Sequence, residues 1–170
     1  MSQTVLSPNR QQTPVALQTA YGNAISALST WLNTHSITVL RISLGVVFLG
    51  FGVLKFVPGL SPAEDLAVAT VDRLTLGIVS GQAALLLTAT METVIGLTLV
   101  TGRFVRAGLV VLAGALVGIM SPLVLFPDDL FGGGPTIVAQ YVIKDVVLVA
   151  GGLVVAAHAL GGRMRSDSSG

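Results

Sequence analysis

Four long apolar stretches limit this chain to one kind of fold. They cover residues 39–57, 83–101, 104–126 and 137–160. Each reaches the roughly 17 to 25 residues that a helix needs to cross a bilayer. Backbone N–H and C=O groups in hydrocarbon must be paired within their own segment, and the stretches lack the alternating ten-residue pattern of barrel strands. The sequence therefore predicts an all-α integral membrane four-helix bundle.

The composition supports the same class. Hydrophobic residues make up 52% of the 170 positions and charged residues only 10%, whereas soluble domains carry about 25% charged residues. The chain contains no cysteine, which excludes disulfides and thiol chemistry. Its formal charge of +1 gives no reason to expect nucleic acid as a partner.

The distribution of arginines predicts the orientation. Arginines lie in the turn between the second and third spans and directly after the fourth, whereas Arg73 is the only basic residue in loops 58–82 and 127–136. Because basic loops stay on the cytoplasmic side, both termini are predicted to be cytoplasmic and these two loops external.

The segments outside the spans are predicted to be structural. Residues 1–13 and 163–170 are polar and are expected to be disordered. Apolar residues recur at helical spacing in segment 14–36, which predicts an amphipathic helix lying at the interface with Trp31 at headgroup depth. A helix that binds a partner protein is the alternative for this segment.

A short external helix is predicted between the first two spans. Ser61 and Glu64 have the spacing of a capping box, with proline at the first helical position. The helix is expected to rest on the bilayer through Leu66, Leu74 and Ile78.

Five ionisable side chains interrupt the apolar spans, and each costs about 2.5 to 3.5 kcal/mol near the bilayer centre. They are Arg41, Lys55, Glu92, Lys144 and Asp145. Arg41 lies near the inner end of its span, so we expect it to reach the cytoplasmic surface as an interfacial charge anchor.

Lys55 and Glu92 are expected to face the interior of the bundle. Lys55 lies at the outer end of the first span, close to a stripe that contains Gly45 and Gly52 and suits close helix packing. Glu92 lies at the middle of the second span, too deep to reach water. It must be protonated, paired or hydrated.

Span four presents two polar faces. Gln140 and Lys144 share one face, and Tyr141 and Asp145 share another about 100° away. Together with the third span, this predicts one intramembrane polar pocket open to the external side, formed by Lys55, Glu92, Ser121, Gln140, Tyr141, Lys144 and Asp145. The alternative is a network of ion pairs, Glu92 with Lys144 and Asp145 with Lys55, that only fixes the register of the helices.

The third span carries two further signals. Ser121 precedes Pro122, which lacks an N–H and so frees a backbone carbonyl. Gly114 and Gly118 form a small-xxx-small pattern, which predicts close packing against another helix. No metal site is predicted, since both histidines are expected near the cytoplasmic surface.

The segments GFGVLKFVPG, METVIGLTLV, SPLVLFP and QYVIKDVVLVAGGLVV occur in this order along the chain. Together they resemble the DoxX-like family of four-helix membrane proteins, and the resemblance covers residues 39–155. The sequence is most similar to the branch that includes the reactive-chlorine-resistance inner-membrane protein of enteric bacteria. This resemblance implies a multi-pass protein of the bacterial cytoplasmic membrane.

The resemblance also implies a redox-linked role, because the family includes a membrane subunit of a thiosulfate:quinone oxidoreductase. A quinone is the candidate ligand, and other membrane or redox proteins, or further copies of the chain, are the candidate partners. Lys144 and Tyr141 would donate hydrogen bonds to the ligand, and Glu92 would hold or relay a proton. The chain contains no obvious nucleophile–base pair, so we expect an accessory component and not an autonomous enzyme. A transport module and a purely structural subunit remain as alternatives.

Overall fold

The structure, a computed structural model, describes residues 12–61 and 64–162, with side chains from Thr19 onward. Within these residues every regular element is a helix, which confirms the all-α prediction. The helices are α1 (Gln12–Leu54), α2 (Glu64–Leu74), α3 (Gly81–Thr101), α4 (Val105–Met120), α5 (Pro122–Leu125), α6 (Pro127–Phe131), α7 (Ile137–Lys144) and α8 (Val146–Ala159).

Four helical stretches in the described part of the chain are long and apolar enough to cross a bilayer. They are Thr19–Leu54, Gly81–Thr101, Val105–Leu125 and Ile137–Ala159, and they agree with the predicted four-helix membrane bundle. The third stretch joins α4 to α5, and the fourth joins α7 to α8. Proline at the start of α5 accounts for the first junction, because its ring cannot continue the hydrogen bonds of α4.

The chain divides into two units, Met1–Ser36 and Ile37–Gly170. Among the described side chains of the first unit, the large apolar ones are exposed: Tyr21, Ile25, Leu28, Trp31 and Leu32. The ring of Trp31 stacks on His35 with centroids 5.2 Å apart. Helix α1 runs without a break through the predicted amphipathic segment into the first span. The interfacial placement of that segment stays a prediction.

Of the two segments predicted to be disordered, residues 1–11 and 163–170 lie outside the described residues. The remaining two, Gln12 and Thr13, begin α1.

In the second unit, glycines bring α1 and α3 into close contact. A Cβ atom on Gly45 would lie 2.8 Å from the backbone nitrogen of Val100, and one on Gly96 would lie 2.6 Å from that of Leu49. Only a residue without a side chain permits such an approach. The predicted packing of the α1 glycine stripe against a neighbouring helix is therefore confirmed.

The apolar core occupies the half of the second unit that contains the C-terminal end of α3. It is built from buried side chains of α1, α3, α4 and α8, namely Leu44, Phe48, Ile95, Leu99, Leu112 and Val155. The other half, on the side where α2 lies, contains Lys55, Glu92 and Asp145.

Helix α2 is the short helix predicted between the first two spans. The Glu64 carboxylate accepts a hydrogen bond from the backbone N–H of Gly59 at 2.8 Å, and the Ser61 carbonyl accepts one from the N–H of Glu64 at 3.3 Å. The Ser61 hydroxyl makes no capping hydrogen bond within the described residues. The sequence had suggested that Leu66 and Leu74 rest on the bilayer. In the structure both residues line a cavity inside the second unit.

Candidate functional site

A buried ion pair between Lys55 and Glu92 forms the centre of the site. Lys55 Nζ lies 2.7 Å from Oε2 and 3.0 Å from Oε1 of Glu92, and each residue is only 6% exposed. Lys55 directly follows the end of α1, and Glu92 lies near the middle of α3. Gly52 allows the approach, because a Cβ there would lie 3.0 Å from the Cβ of Glu92. Each charge therefore neutralises the other where both side chains are largely shielded from solvent.

The alternative pairing of Glu92 with Lys144, and of Asp145 with Lys55, is wrong. Glu92 takes Lys55 as its partner, and Lys144 is exposed with its Nζ 4.5 Å from the centre of the Tyr141 ring. The physical reason is the rotation of α7, which places Lys144 on a different face from the residues that point inward.

The ion pair borders a cavity of about 320 Å³. Its walls are mostly apolar and come from α1, α2, α3, α4, α5, α7 and α8. Helix α2 contributes Leu66, Ala67, Thr70, Val71 and Leu74. Four of the seven predicted pocket residues line it: Lys55, Glu92, Tyr141 and Asp145. Ser121, Gln140 and Lys144 do not.

The two polar faces predicted on span four are separated by the fold. Tyr141 and Asp145 are half-buried and line the cavity, whereas Gln140 and Lys144 are exposed on the outer surface of the second unit. Asp145 lies where α7 meets α8, within electrostatic range of both Lys55 and Glu92. The cavity thus contains a phenol and two carboxylates against a single ammonium group.

Ser121 acts on the backbone of its own helix. Its hydroxyl donates a hydrogen bond to the Gly118 carbonyl at 2.8 Å. That carbonyl is the one that the missing N–H of Pro122 leaves free. The freed carbonyl was expected from the sequence, and the structure shows that the neighbouring serine satisfies it.

Within the part of the chain that the structure describes, no other helix packs closely against Gly114 or Gly118, so the packing prediction for this pair is wrong. A Cβ atom on either glycine would meet nothing within 4 Å. Both residues line the cavity. Their missing side chains leave space for it.

Two hydroxyl groups in the cavity wall were missed by the sequence reasoning. Ser61 is 8% exposed and Thr70 is 4% exposed, and neither hydroxyl oxygen has a hydrogen-bond partner among the described residues. The sequence could have indicated Thr70, because it lies four residues after Leu66 and four before Leu74. It therefore shares the inward face of α2.

Arg41 binds the C-terminal end of α3. Its guanidinium donates a hydrogen bond to the Leu99 carbonyl, one of the last carbonyls of that helix, as basic side chains do at helix C-termini. Gly102 ends α3 with a φ of 72°, and a Cβ there would lie 3.1 Å from the guanidinium. A second, open cavity of about 660 Å³ lies beside Arg41 and is also lined by Arg106 and His158.

Within the described residues, no group of three or more His, Cys, Asp or Glu side chains could hold a metal ion. The site instead combines a compensated ion pair with an apolar cavity. Fold and site together define a multi-pass helical membrane protein with a charge-paired cavity between its helices.

The comparison with protein families identifies this protein more closely. A family model described as DoxX matches residues 36–126, which is more than half of the chain. The chain therefore belongs to the DoxX family. The match runs through the first three spans and includes both Lys55 and Glu92. No curated protein and no solved structure matches the chain.

Proposed function

We propose that this DoxX protein is an accessory component of a redox or oxidative-stress system and that it binds a quinone or another small ligand in the cavity beside Lys55 and Glu92. The observation that carries the proposal is the cavity itself, with its apolar walls and few polar groups. Small-molecule sites have this composition, in which the polar groups fix the orientation of the ligand.

The cavity residues supply binding chemistry. Two of the three N–H donors of the Lys55 ammonium are used by Glu92, which leaves one for a ligand oxygen. The Tyr141 hydroxyl is a second donor. These two side chains take the place of the Lys144 and Tyr141 pair expected from the sequence. Because the chain's role is binding, a second membrane or redox protein carries the electron-transfer reaction.

The proposal places the protein in the bacterial cytoplasmic membrane with both termini in the cytoplasm and the cavity towards the external side. The uneven distribution of arginines supports this orientation. Since the chain contains no cysteine, single cysteines at Asp72 and at Arg103 can report it. A membrane-impermeant maleimide added to spheroplasts should label D72C and not R103C, and the reverse pattern would overturn the orientation. Within the family, we place the chain near the reactive-chlorine-resistance branch.

Filling the cavity tests the binding function. In Gly114→Leu the new side chain would project into the space that the glycine leaves open. Gly50→Leu is the matched control, because Gly50 is exposed and its Cβ also meets nothing within 4 Å. The measurement is mass spectrometry of quinones and other small molecules that copurify in mild detergent.

We expect the wild-type protein and G50L to retain the same small molecule and G114L to lose it while remaining folded. Retention by all three proteins would place the ligand elsewhere, and no retained or rebound molecule in any of them would overturn the binding function. Ion flux in liposomes that depends on Glu92 and survives quinone extraction would favour the transport alternative.

A structural subunit is the second candidate, favoured by the Lys55–Glu92 pair. Both carboxylate oxygens are hydrogen-bonded, so the pair alone could serve to hold α1 against α3. In that case, apolar replacement of both residues leaves stability, ligand content and phenotype unchanged.

A further inference from the structure

We infer that the ligand of this cavity is a neutral, mostly apolar molecule with at least one oxygen atom, and that the hydroxyls of Ser61 and Thr70 bind this oxygen end. The inference rests on the proposed binding function and specifies the chemistry of the ligand. It places the polar contact on the α2 side of the cavity and not on the ion pair alone.

The unpartnered hydroxyls are the main observation. Ser61 and Thr70 are more than nine-tenths buried, both line the cavity, and neither hydroxyl has a partner among the described residues. Buried polar side chains in native proteins are hydrogen-bonded in the large majority of cases, because a buried group without a partner is destabilising. Two such groups facing one cavity are explained by a bound oxygen atom.

The other two threonine hydroxyls in the cavity wall already have hydrogen-bond partners within the protein. The Thr88 hydroxyl donates to the Ala84 carbonyl at 2.9 Å, and the Thr75 hydroxyl donates to the Val71 carbonyl at 2.8 Å. Both residues line the cavity. Among the serine and threonine hydroxyls that line the cavity, only those of Ser61 and Thr70 therefore lack a partner within the described residues.

The charges in the cavity favour a neutral ligand. Glu92 compensates the charge of Lys55 at 2.7 Å, and Asp145 adds a carboxylate to the lining. An anion would meet this carboxylate, and among the described residues the only cation that lines the cavity is Lys55, which Glu92 already pairs. Lys144 lies within electrostatic range of Asp145 but is exposed and does not line the cavity. A charged ligand of either sign would also lose its hydration against walls that are mostly apolar, which is costly without a dedicated partner.

The test compares two probes that carry the same four ring methyl groups: duroquinone, which has two carbonyl oxygens, and durene, the aromatic hydrocarbon, which has no oxygen. Binding to the purified full-length protein in detergent is measured by titration calorimetry, with Gly114→Leu as the blank for partition into micelles. We expect the wild-type protein to prefer duroquinone. Ser61→Ala and Thr70→Val should each weaken duroquinone binding about five- to tenfold, the value of one neutral hydrogen bond, and leave durene binding unchanged.

Thr88→Val is the matched control and should leave the preference for duroquinone unchanged. Failure of the wild-type protein to bind either probe above the blank would overturn the proposed function. Binding of duroquinone with an unchanged preference in S61A and T70V would overturn this inference alone.

Ligand-free stability gives an independent measurement. Thr70→Val keeps the shape of the side chain and removes an unpartnered hydroxyl, so it should raise the melting temperature of the ligand-free protein. Thr88→Val removes a hydroxyl that is hydrogen-bonded and should lower it or leave it unchanged. A lower melting temperature for T70V would show that its hydroxyl is satisfied within the protein, contrary to the inference.

Discussion

Substitution of Lys55 by methionine should destabilise the protein strongly because it leaves Glu92 alone. Glu92 is only 6% exposed, so it must either stay charged in apolar surroundings or take up a proton. Removal of one partner of a buried pair costs about 3 to 5 kcal/mol. Protonation of an ordinary glutamate at pH 7 costs about 3.7 kcal/mol, which limits the loss. The expected decrease in the free energy of unfolding is therefore about 3 to 4 kcal/mol.

Removal of both charges should cost far less. In the double variant Lys55→Met, Glu92→Leu no charge is left without a partner, and apolar replacement of a whole buried pair is often neutral or stabilising. We expect its free energy of unfolding to lie within about 1 kcal/mol of the wild-type value or above it. Lys144→Met is the matched control. Lys144 is exposed and contacts the Tyr141 ring, so the loss should stay below about 1 kcal/mol.

Reversible unfolding in mixed micelles, followed by circular dichroism, measures these differences. For a chain of this length the loss in K55M corresponds to a decrease in melting temperature of about 6 to 16 °C. If K55M and the double variant are destabilised equally, packing of the lysine chain and not charge pairing holds α1 against α3. A K55M protein as stable as the wild type would show that the pair is not formed.

Two further predictions concern the backbone and use the same unfolding measurement. Gly96→Ala places a Cβ 2.6 Å from the backbone of α1 and should cost about 1 to 3 kcal/mol, whereas Gly50→Ala meets nothing within 4 Å and should not destabilise. Equal effects would argue against the close approach of the helices. Ser121→Ala removes the donor to the Gly118 carbonyl and should cost about 0.6 to 2 kcal/mol. A second change, Pro122→Ala, restores an N–H and should recover that loss, and an absence of recovery would contradict this role of the serine.

The fold could be predicted from the sequence because the bilayer leaves few alternatives. Backbone groups in hydrocarbon must be paired within their own segment, so long apolar stretches have to be helices. Their limits agree with the structure within a few residues at most ends. The position of Lys55 inside the bundle was also predictable. It follows a stripe that contains Gly45 and Gly52, and both glycines contact α3.

The partner of Glu92 could not be predicted, because helical periodicity fixes which residues share a face and not which face points inward. On α7 the two polar faces differ by about 100°, and the contacts with neighbouring helices decide between them. Tyr141 and Asp145 face the cavity, and Lys144 is exposed. Lys55 was therefore the only lysine left within reach of Glu92 in the described part of the chain.

The glycines of α4 show a second limit of sequence reasoning. A small residue can allow another helix to approach, as Gly96 does on α3, or it can leave space open, as Gly114 and Gly118 do. In both cases the sequence shows only that a glycine lies within an apolar helix. The difference depends on whether a neighbouring helix fills the space, which is a property of the assembled bundle.

The two sides of the cavity differ in the contacts that hold their helices together. On one side α1 is tied to α3 at two points, by Arg41 at the Leu99 carbonyl and by Lys55 at Glu92. Arg41 and Lys55 are about 21 Å apart along α1. On the other side α4 presents open space. The ion pair therefore both holds the helices together and forms part of the cavity wall. The double apolar variant separates these roles, because it keeps α1 against α3 while removing the ammonium donor: if it retains the ligand, the pair contributes only structure to the site.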